Sequence, residues 1–345
     1  MKLSFNIPTY NRAKFLAISL KKIANQIEEL NLQDQVEINL SDNASTDKTK
    51  EVWDNCLILH PTIKFTYKRN EKNLGPDMNF LSAMNMATGK YSILWGDDDY
   101  LKEGGLKRIF EIIDYSERHD AQIMVSSTSV IDANGKYLYE KHFLREDVDD
   151  ILVDFSDANQ ARSYFFLLKD MGGLLSFISD VIYKTSIIKE LPYDEDFTGT
   201  HYAFLCYWWG WLAKGNKLYY CKKSFVDETI QYQPAYGFGV NRFLVDYCGY
   251  MKVAKFFEKK LAKDFLYAFQ NLHSYKKLRR LVIRQKNEFV ERVEPLVREC
   301  GYGFFELNEL YFDTSKKSIL KDSFLAFVPT WIYSSIVKMK KWFGR

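Results

Sequence analysis

The first hundred residues alternate between short apolar runs bounded by turn residues and longer stretches whose apolar positions recur at helical spacing. That is the sequence form of a sheet built from β-α-β units. Residues 3–7 read as a buried strand, and Phe15, Leu16, Ile18, Leu20, Ile23 and Ile27 then recur at helical spacing. A second strand at 36–40 runs into Ser41-Asp42-Asn43-Ala44-Ser45-Thr46-Asp47, small polar residues that make a turn and cap a helix over 49–59. A third strand at 63–67, a helix over 79–87 ended by Gly89 and a fourth strand at 91–95 follow.

Beyond residue 120 the texture changes. Residues 121–130 are rich in Val, Ile, Ser and Thr, and Asn134-Gly135 is a two-residue hairpin signal, so an antiparallel element is expected. Strands at 177–183 and 217–221 flank a buried, aromatic-rich helix over 203–214 closed by Gly215. From 241 the chain carries helical period throughout. A chain of 345 residues exceeds what one core usually holds, so two units are expected: an α/β domain over 1–240 and a helical region over 241–345.

Composition narrows the class. The net charge of +3 is too small to imply a nucleic-acid partner. The five cysteines are scattered and odd in number, with no C-x-x-C pair, which fits a reducing cytoplasm. Residues 1–8 show no basic region, long apolar stretch or cleavage site, so no export signal is expected.

Polar loops follow the first, second and fourth strands at their C-terminal ends, where open α/β sheets bind ligands. Asp42 and Asn43 offer groups suited to a nucleobase or ribose, and Asn11 and Arg12 reach toward a diphosphate. Neither G-x-G-x-x-G nor a G-K-[ST] loop occurs, which argues against dinucleotide enzymes and P-loop proteins. Three consecutive aspartates, Asp97, Asp98 and Asp99, repel one another unless a cation screens them. If the segment is extended, Asp97 and Asp99 point the same way and share a divalent cation, Mg²⁺ or Mn²⁺, while Asp98 faces elsewhere.

Four stretches in this order, Ile7-Pro8-Thr9-Tyr10-Asn11-Arg12, residues 41–47, residues 70–79 and Trp95-Gly96-Asp97-Asp98-Asp99, resemble family 2 glycosyltransferases of GT-A fold. The resemblance covers residues 1–240 and is greatest to bacterial enzymes of surface-polysaccharide assembly, including the abequosyltransferase-like branch. It implies a GT-A mixed sheet flanked by helices, a nucleotide-sugar donor and inversion at the anomeric carbon. It also implies that Pro8, Tyr10 and Arg12 line a nucleotide pocket, that Asp42 binds the base, that Asp77 contacts the nucleotide, and that Asp97 and Asp99 handle metal and diphosphate. Asp98 is counted with the donor-binding residues. The chain departs from the family at the acidic pair that usually opens the last domain helix, where Ala203 and Phe204 stand instead. The base that deprotonates the acceptor is then His201, which has a suitable pKa range, or an acid of 194–196, chiefly Asp196. A catalytically silent scaffold of the same fold is the competing reading.

Residues 323–345 mix Phe, Trp, Leu, Ile and Val with Lys338, Lys340, Lys341 and Arg345, the make-up of a helix lying in a membrane interface. A basic stretch at 276–286 adds to that attraction. The implied acceptor is a glycan on a polyprenyl diphosphate, and the implied location is the inner face of the cell membrane. The alternative for the final helix is packing on the domain or across a homodimer.

Overall fold

The computed structural model describes residues 1–230 and 240–272. Two compact units divide the chain, Met1–Tyr232 and Gln233–Arg345. The expected interfacial helix and the basic stretch lie outside the described residues.

The first unit opens with the alternation expected: β1 (Leu3–Thr9), α1 (Ala13–Glu29), β2 (Val36–Asp42), α2 (Thr49–Leu59), β3 (Lys64–Arg69), α3 (Pro76–Met84) and β4 (Tyr91–Leu94). Every residue of β1, β2 and β4 is buried, as a parallel sheet covered on both faces requires. The helix α3 starts at Pro76, earlier than apolar spacing suggests, because Gly75 at φ 83° breaks the chain and proline suits a first helical turn. Next come the two-residue β5 (Tyr100–Leu101) and α4 (Gly105–His119), a helix that the sequence reading had passed over. The Val-, Ile-, Ser- and Thr-rich stretch at 121–130 divides into β6 (Ile123–Ser126) and β7 (Thr128–Ile131), which join different sheets, and β7 forms the expected antiparallel pair with the strand that follows. β8 (Tyr137–Lys141), β9 (Ile151–Asp154), α5 (Ala158–Leu167) and β10 (Val181–Lys184) follow. The unit ends with α6 (Ile187–Glu190), α7 (Ala203–Leu212), β11 (Lys217–Cys221) and β12 (Val226–Thr229). Apolar nearly all round, α7 is buried, with Phe204 edge-on to Phe80 of α3 at 5.7 Å.

The main sheet has eight strands in the order β3-β2-β1-β4-β10-β6-β11-β9, and β5-β12-β7-β8 form a second sheet. β1 pairs in parallel with both β2 and β4, and β2 with β3. β10 is antiparallel to β4 and to β6. This mixed sheet confirms the expected fold class and decides the geometry of the site. Loops leaving β1, β2, β3 and β4 meet at one edge, and β10, running the other way, begins at that edge.

The second unit shows α8 (Val240–Ala254) and α9 (Lys259–Leu272), packed on each other through Tyr250, whose ring stacks on Phe269 at 4.9 Å.

Candidate active site

The aspartate run leaves β4 as a turn, with the Asp99 N–H donating to the Gly96 carbonyl at 3.2 Å. The alternation of an extended segment therefore does not hold. Arg12 is the side-chain cation that Asp97 and Asp98 share. Its Nε lies 2.8 Å from Asp97 Oδ1 and its Nη2 pairs with Asp98 Oδ2. The guanidinium also stands over the Phe15 ring at 5.0 Å, which fixes its plane. An arginine from the first loop thus screens part of the charge of the aspartate run.

Asp97 and Asp99 are each 5% exposed. Thr9 Oγ1 donates to Asp97 Oδ2 at 2.7 Å, and Ser179 Oγ donates to Asp99 Oδ2 at 2.6 Å while accepting from the Gly96 N–H at 2.8 Å. Burial first, then repulsion from Asp98, pushes both carboxyl groups above the usual carboxylate range, against the pull of Arg12 on Asp97 and of Ser179 on Asp99. Glycine at 96 leaves room for the Asp99 carboxyl, because a Cβ there would crowd Asp99 Oδ2. Asp97 and Asp99 are the side chains whose hard oxygens suit Mg²⁺ or Mn²⁺. Thr9 and Ser179 are not among the expected donor- and metal-handling residues; Thr9 sits inside the first motif, whereas no motif links Ser179 to the aspartates.

The other expected residues divide into those that face outward and those absorbed by the scaffold. Tyr10 is 42% exposed and Pro8 is buried within β1. Asn11, at φ 55°, accepts from the N–H of Thr46 at 2.7 Å and of Asp47 at 3.3 Å, clamping the first loop to the second. Asp42 Oδ2 accepts from the Tyr67 hydroxyl at 2.7 Å and Oδ1 from the Ser45 N–H at 2.8 Å. Asn43 donates to Asn73 Oδ1 and the Gly75 carbonyl and accepts from Asn70 and the Leu74 N–H. That uses the full capacity of its amide, so here Asn43 shapes the 70–75 loop.

Asp77 is likewise committed. Its Oδ2 accepts from the N–H groups of Gly199 at 2.8 Å and His201 at 3.0 Å, and its Oδ1 from Ala203 at 3.1 Å. In this arrangement it caps α7 and holds His201 at φ 61°. Two residues on, Asn79 donates to the carbonyls of Ser41 at 3.1 Å and Thr9 at 3.4 Å, so α3 links the β1 edge to the turn that carries His201. Asp196 stands exposed on the short turn Glu195–Phe197, its N–H bonded to Asp194 Oδ1.

The mixed sheet with an aspartate loop at its parallel edge defines a glycosyltransferase of GT-A fold. The chain belongs to glycosyltransferase family 2: the family profile described as Glycosyl transferase family 2 matches residues 4–174, and a relative matched over three quarters of both chains agrees. It is 30% identical over 269 residues to abequosyltransferase RfbV of Salmonella typhimurium, covering 75% of this chain and 76% of that one. It is 28% identical over 262 residues to the GalNAc(5)-diNAcBac-PP-undecaprenol beta-1,3-glucosyltransferase of Campylobacter jejuni, covering 75% of each chain. Among solved structures, TarS of S. aureus superposes with a TM-score of 0.58 at 18% identity, over 90% of this chain and 54% of TarS. This chain thus spans about half the length of TarS. The mannosyltransferase PcManGT from Pyrobaculum calidifontis, in complex with GDP-Man and Mn²⁺, gives 0.54 at 14% identity, over 97% of this chain and 83% of that one. At these identities the two structures speak for the fold alone.

Proposed function

We propose that the chain moves a sugar from a nucleoside-diphosphate sugar to a hydroxyl of a glycan carried on a polyprenyl diphosphate, with inversion, in the assembly of a bacterial surface polysaccharide. The observation that carries this reading is the pair of buried carboxylates, Asp97 and Asp99, held by Thr9, Arg12 and Ser179 at the edge where four loops meet. The names of the Salmonella and Campylobacter relatives, one an abequosyltransferase and one specified by an undecaprenol-linked substrate, support the glycan and its lipid carrier.

Among the described residues, no group of three or more His, Cys, Asp or Glu side chains is placed to hold a metal ion. A divalent cation at Asp97 and Asp99 would therefore complete its shell with diphosphate and water oxygens, as Mg²⁺ commonly does. The buried oxygens and the cradle over Gly96 fit such an ion. When bound, it supplies Lewis-acid neutralisation of the departing diphosphate.

The chain's own residues do the rest. Arg12, from the first loop, places a positive charge beside the leaving group and screens Asp98. Asp42 meets the base at the end of β2, and Tyr10 offers its exposed ring alongside. In place of the missing acidic pair, His201 is the group we assign as base, because Asp77 fixes its backbone at the start of α7. Asp196 is the alternative. One base and in-line attack suffice for inversion, so no covalent sugar-enzyme adduct is needed. The region 241–345, with the segment 323–345, is assigned to the inner membrane face where such an acceptor resides; among the described residues no helix is long and apolar enough to cross a membrane.

The test is a calorimetric titration of the full chain with UDP, GDP, CDP and dTDP, with and without Mn²⁺, repeated on Asp99→Ala. One nucleotide that binds, needs the metal and loses affinity in the variant supports the reading. No binding under any condition replaces it with the silent scaffold.

A further inference from the structure

The two residues that lead into β10 are treated unequally. Ser179 is fully engaged between Gly96 and Asp99. Asp180, next in the chain, is 0% exposed, and neither of its carboxylate oxygens has a hydrogen-bond partner. Only its backbone carbonyl is used, accepting from the Ser126 N–H at 3.1 Å. Native chains leave few buried polar atoms unpaired, and a carboxylate is the most costly kind to strand.

Its surroundings are polar and supplied by the second sheet. Burial first pushes the Asp180 carboxyl well above the usual carboxylate range; Lys141 opposes that shift, and Glu228, Asp99 and Asp170 add to it. The Lys141 ammonium is already committed, 2.6 Å from Glu228 Oε2 and 3.9 Å from Asp170 Oδ1, and Thr128 Oγ1 donates to the same Glu228 oxygen at 3.1 Å. The side chains of Lys141, Glu228 and Asp170 are 23%, 24% and 33% exposed, so the cluster reaches solvent while Asp180 lies beneath it.

We propose that Asp180 is the floor of a sugar-hydroxyl subsite, rimmed by Lys141, Glu228 and Asp170, one residue from the serine that holds Asp99. A buried carboxyl presents two oxygens side by side that accept, or when protonated donate and accept, and neighbouring hydroxyls of a pyranose match either arrangement because each can donate and accept. Other occupants fit less well. A second divalent cation would meet the Lys141 ammonium already paired with Glu228, and an apolar group would leave both oxygens unmatched. The proposal rests on the transferase reading and deepens it, since the hydroxyls belong either to the donor's sugar or to the acceptor's terminal sugar.

The experiment compares the wild-type full chain with Asp180→Leu, which keeps the volume and removes both oxygens, and with Asp180→Asn. One arm measures, by calorimetry with Mn²⁺, the affinity gained when UDP, GDP or dTDP is replaced by its hexose conjugate. The other titrates methyl glycosides of glucose, galactose, mannose and rhamnose onto the nucleotide-saturated chain, followed by saturation-transfer NMR. A donor-side subsite is expected to lose about 10-fold of the sugar-dependent gain in Asp180→Leu, the range of one hydrogen bond to a charged group, with nucleoside-diphosphate affinity unchanged. An acceptor-side subsite loses the glycoside signal instead. In both cases the melting temperature holds or rises, because a buried carboxyl without hydrogen-bond partners has been removed. If both arms match wild type in Asp180→Leu, or if the melting temperature falls and binding does not, Asp180 is structural and the proposal is overturned. If wild type binds no nucleoside diphosphate at all, the transferase reading itself has failed.

Discussion

Asp77 Oδ2 accepts the backbone N–H of His201 at 3.0 Å, across 124 residues of sequence, and thereby ties the start of α3 to the turn that opens α7. The family's acidic pair is missing from that turn, yet a carboxylate reaches it from another helix. Asp77→Ala removes the acceptor of three N–H groups and leaves the turn unpinned. Transfer is expected to fall at least about 10-fold in kcat, consistent with 1–3 kcal/mol for unpaired buried donors. Nucleoside-diphosphate affinity measured by calorimetry should stay within about 2-fold; a large loss there would instead assign Asp77 to the nucleotide.

His201 occupies a conformation that glycine adopts freely. His201→Gly should therefore hold or raise the melting temperature while abolishing transfer. A variant that keeps its turnover would pass the base to Asp196, and Asp196→Asn is the matching control.

Arg12 stands where a cation is needed whether or not a metal is bound. Arg12→Gln leaves Asp97 and Asp98 facing each other without a counter-charge and should cost about 2 kcal/mol of stability, since Asp97 is buried while Arg12 and Asp98 are only partly so. Mn²⁺ should then raise the melting temperature of the variant more than that of wild type. Equal shifts in the two proteins would show that Arg12 and the metal do not act on the same carboxylates.

Gly96→Ala sets a methyl group against Asp99 Oδ2. The atom it meets is the end of a side chain, so the fold should tolerate the change, but Asp99 must leave Ser179. Donor hydrolysis, followed by nucleoside-diphosphate release, should drop by about 10-fold or more with little change in melting temperature, the loss of one charge-assisted hydrogen bond and its geometry.

At the opposite edge of the sheet, Glu37 is 0% exposed and accepts from Ser4 Oγ at 2.7 Å, Lys64 Nζ at 2.6 Å and the Thr88 N–H at 2.7 Å. Burial alone would raise its carboxyl, but these bonds outweigh it and hold the group down at about 2 against an ordinary 4.5. Because the folded value is depressed, the stabilisation is complete above pH 4.5 and is lost as pH falls toward 2. It amounts to about 3 kcal/mol at neutral pH. Urea denaturation of Glu37→Gln should show that loss at pH 7 and a flatter pH profile below 4.5 than wild type.

The strands β1, β2 and β4, their following polar loops and the aspartate run were legible in the sequence because each depends on neighbours a few residues away: apolar runs, turn residues, a cap. The same locality exposed the four motifs of the family and the gap at Ala203 and Phe204. What the aspartates do was not local. Their spacing suggested an extended segment with Asp97 and Asp99 paired, but the chain turns there, and Arg12, from 86 residues upstream, takes Asp98 with Asp97. Ser179 reaches Asp99 across 80 residues because β10 runs antiparallel and begins at the edge where β4 ends, an orientation no local pattern encodes. The reach of Asp77 from α3 to the turn before α7 and the burial of Asp180 follow from the same packing. The sequence by itself determined which elements form and which chemical groups stand at their ends. The tertiary structure alone decided which of those groups meet, because hydrogen bonding and burial of charge depend on distances that only the assembled sheets set.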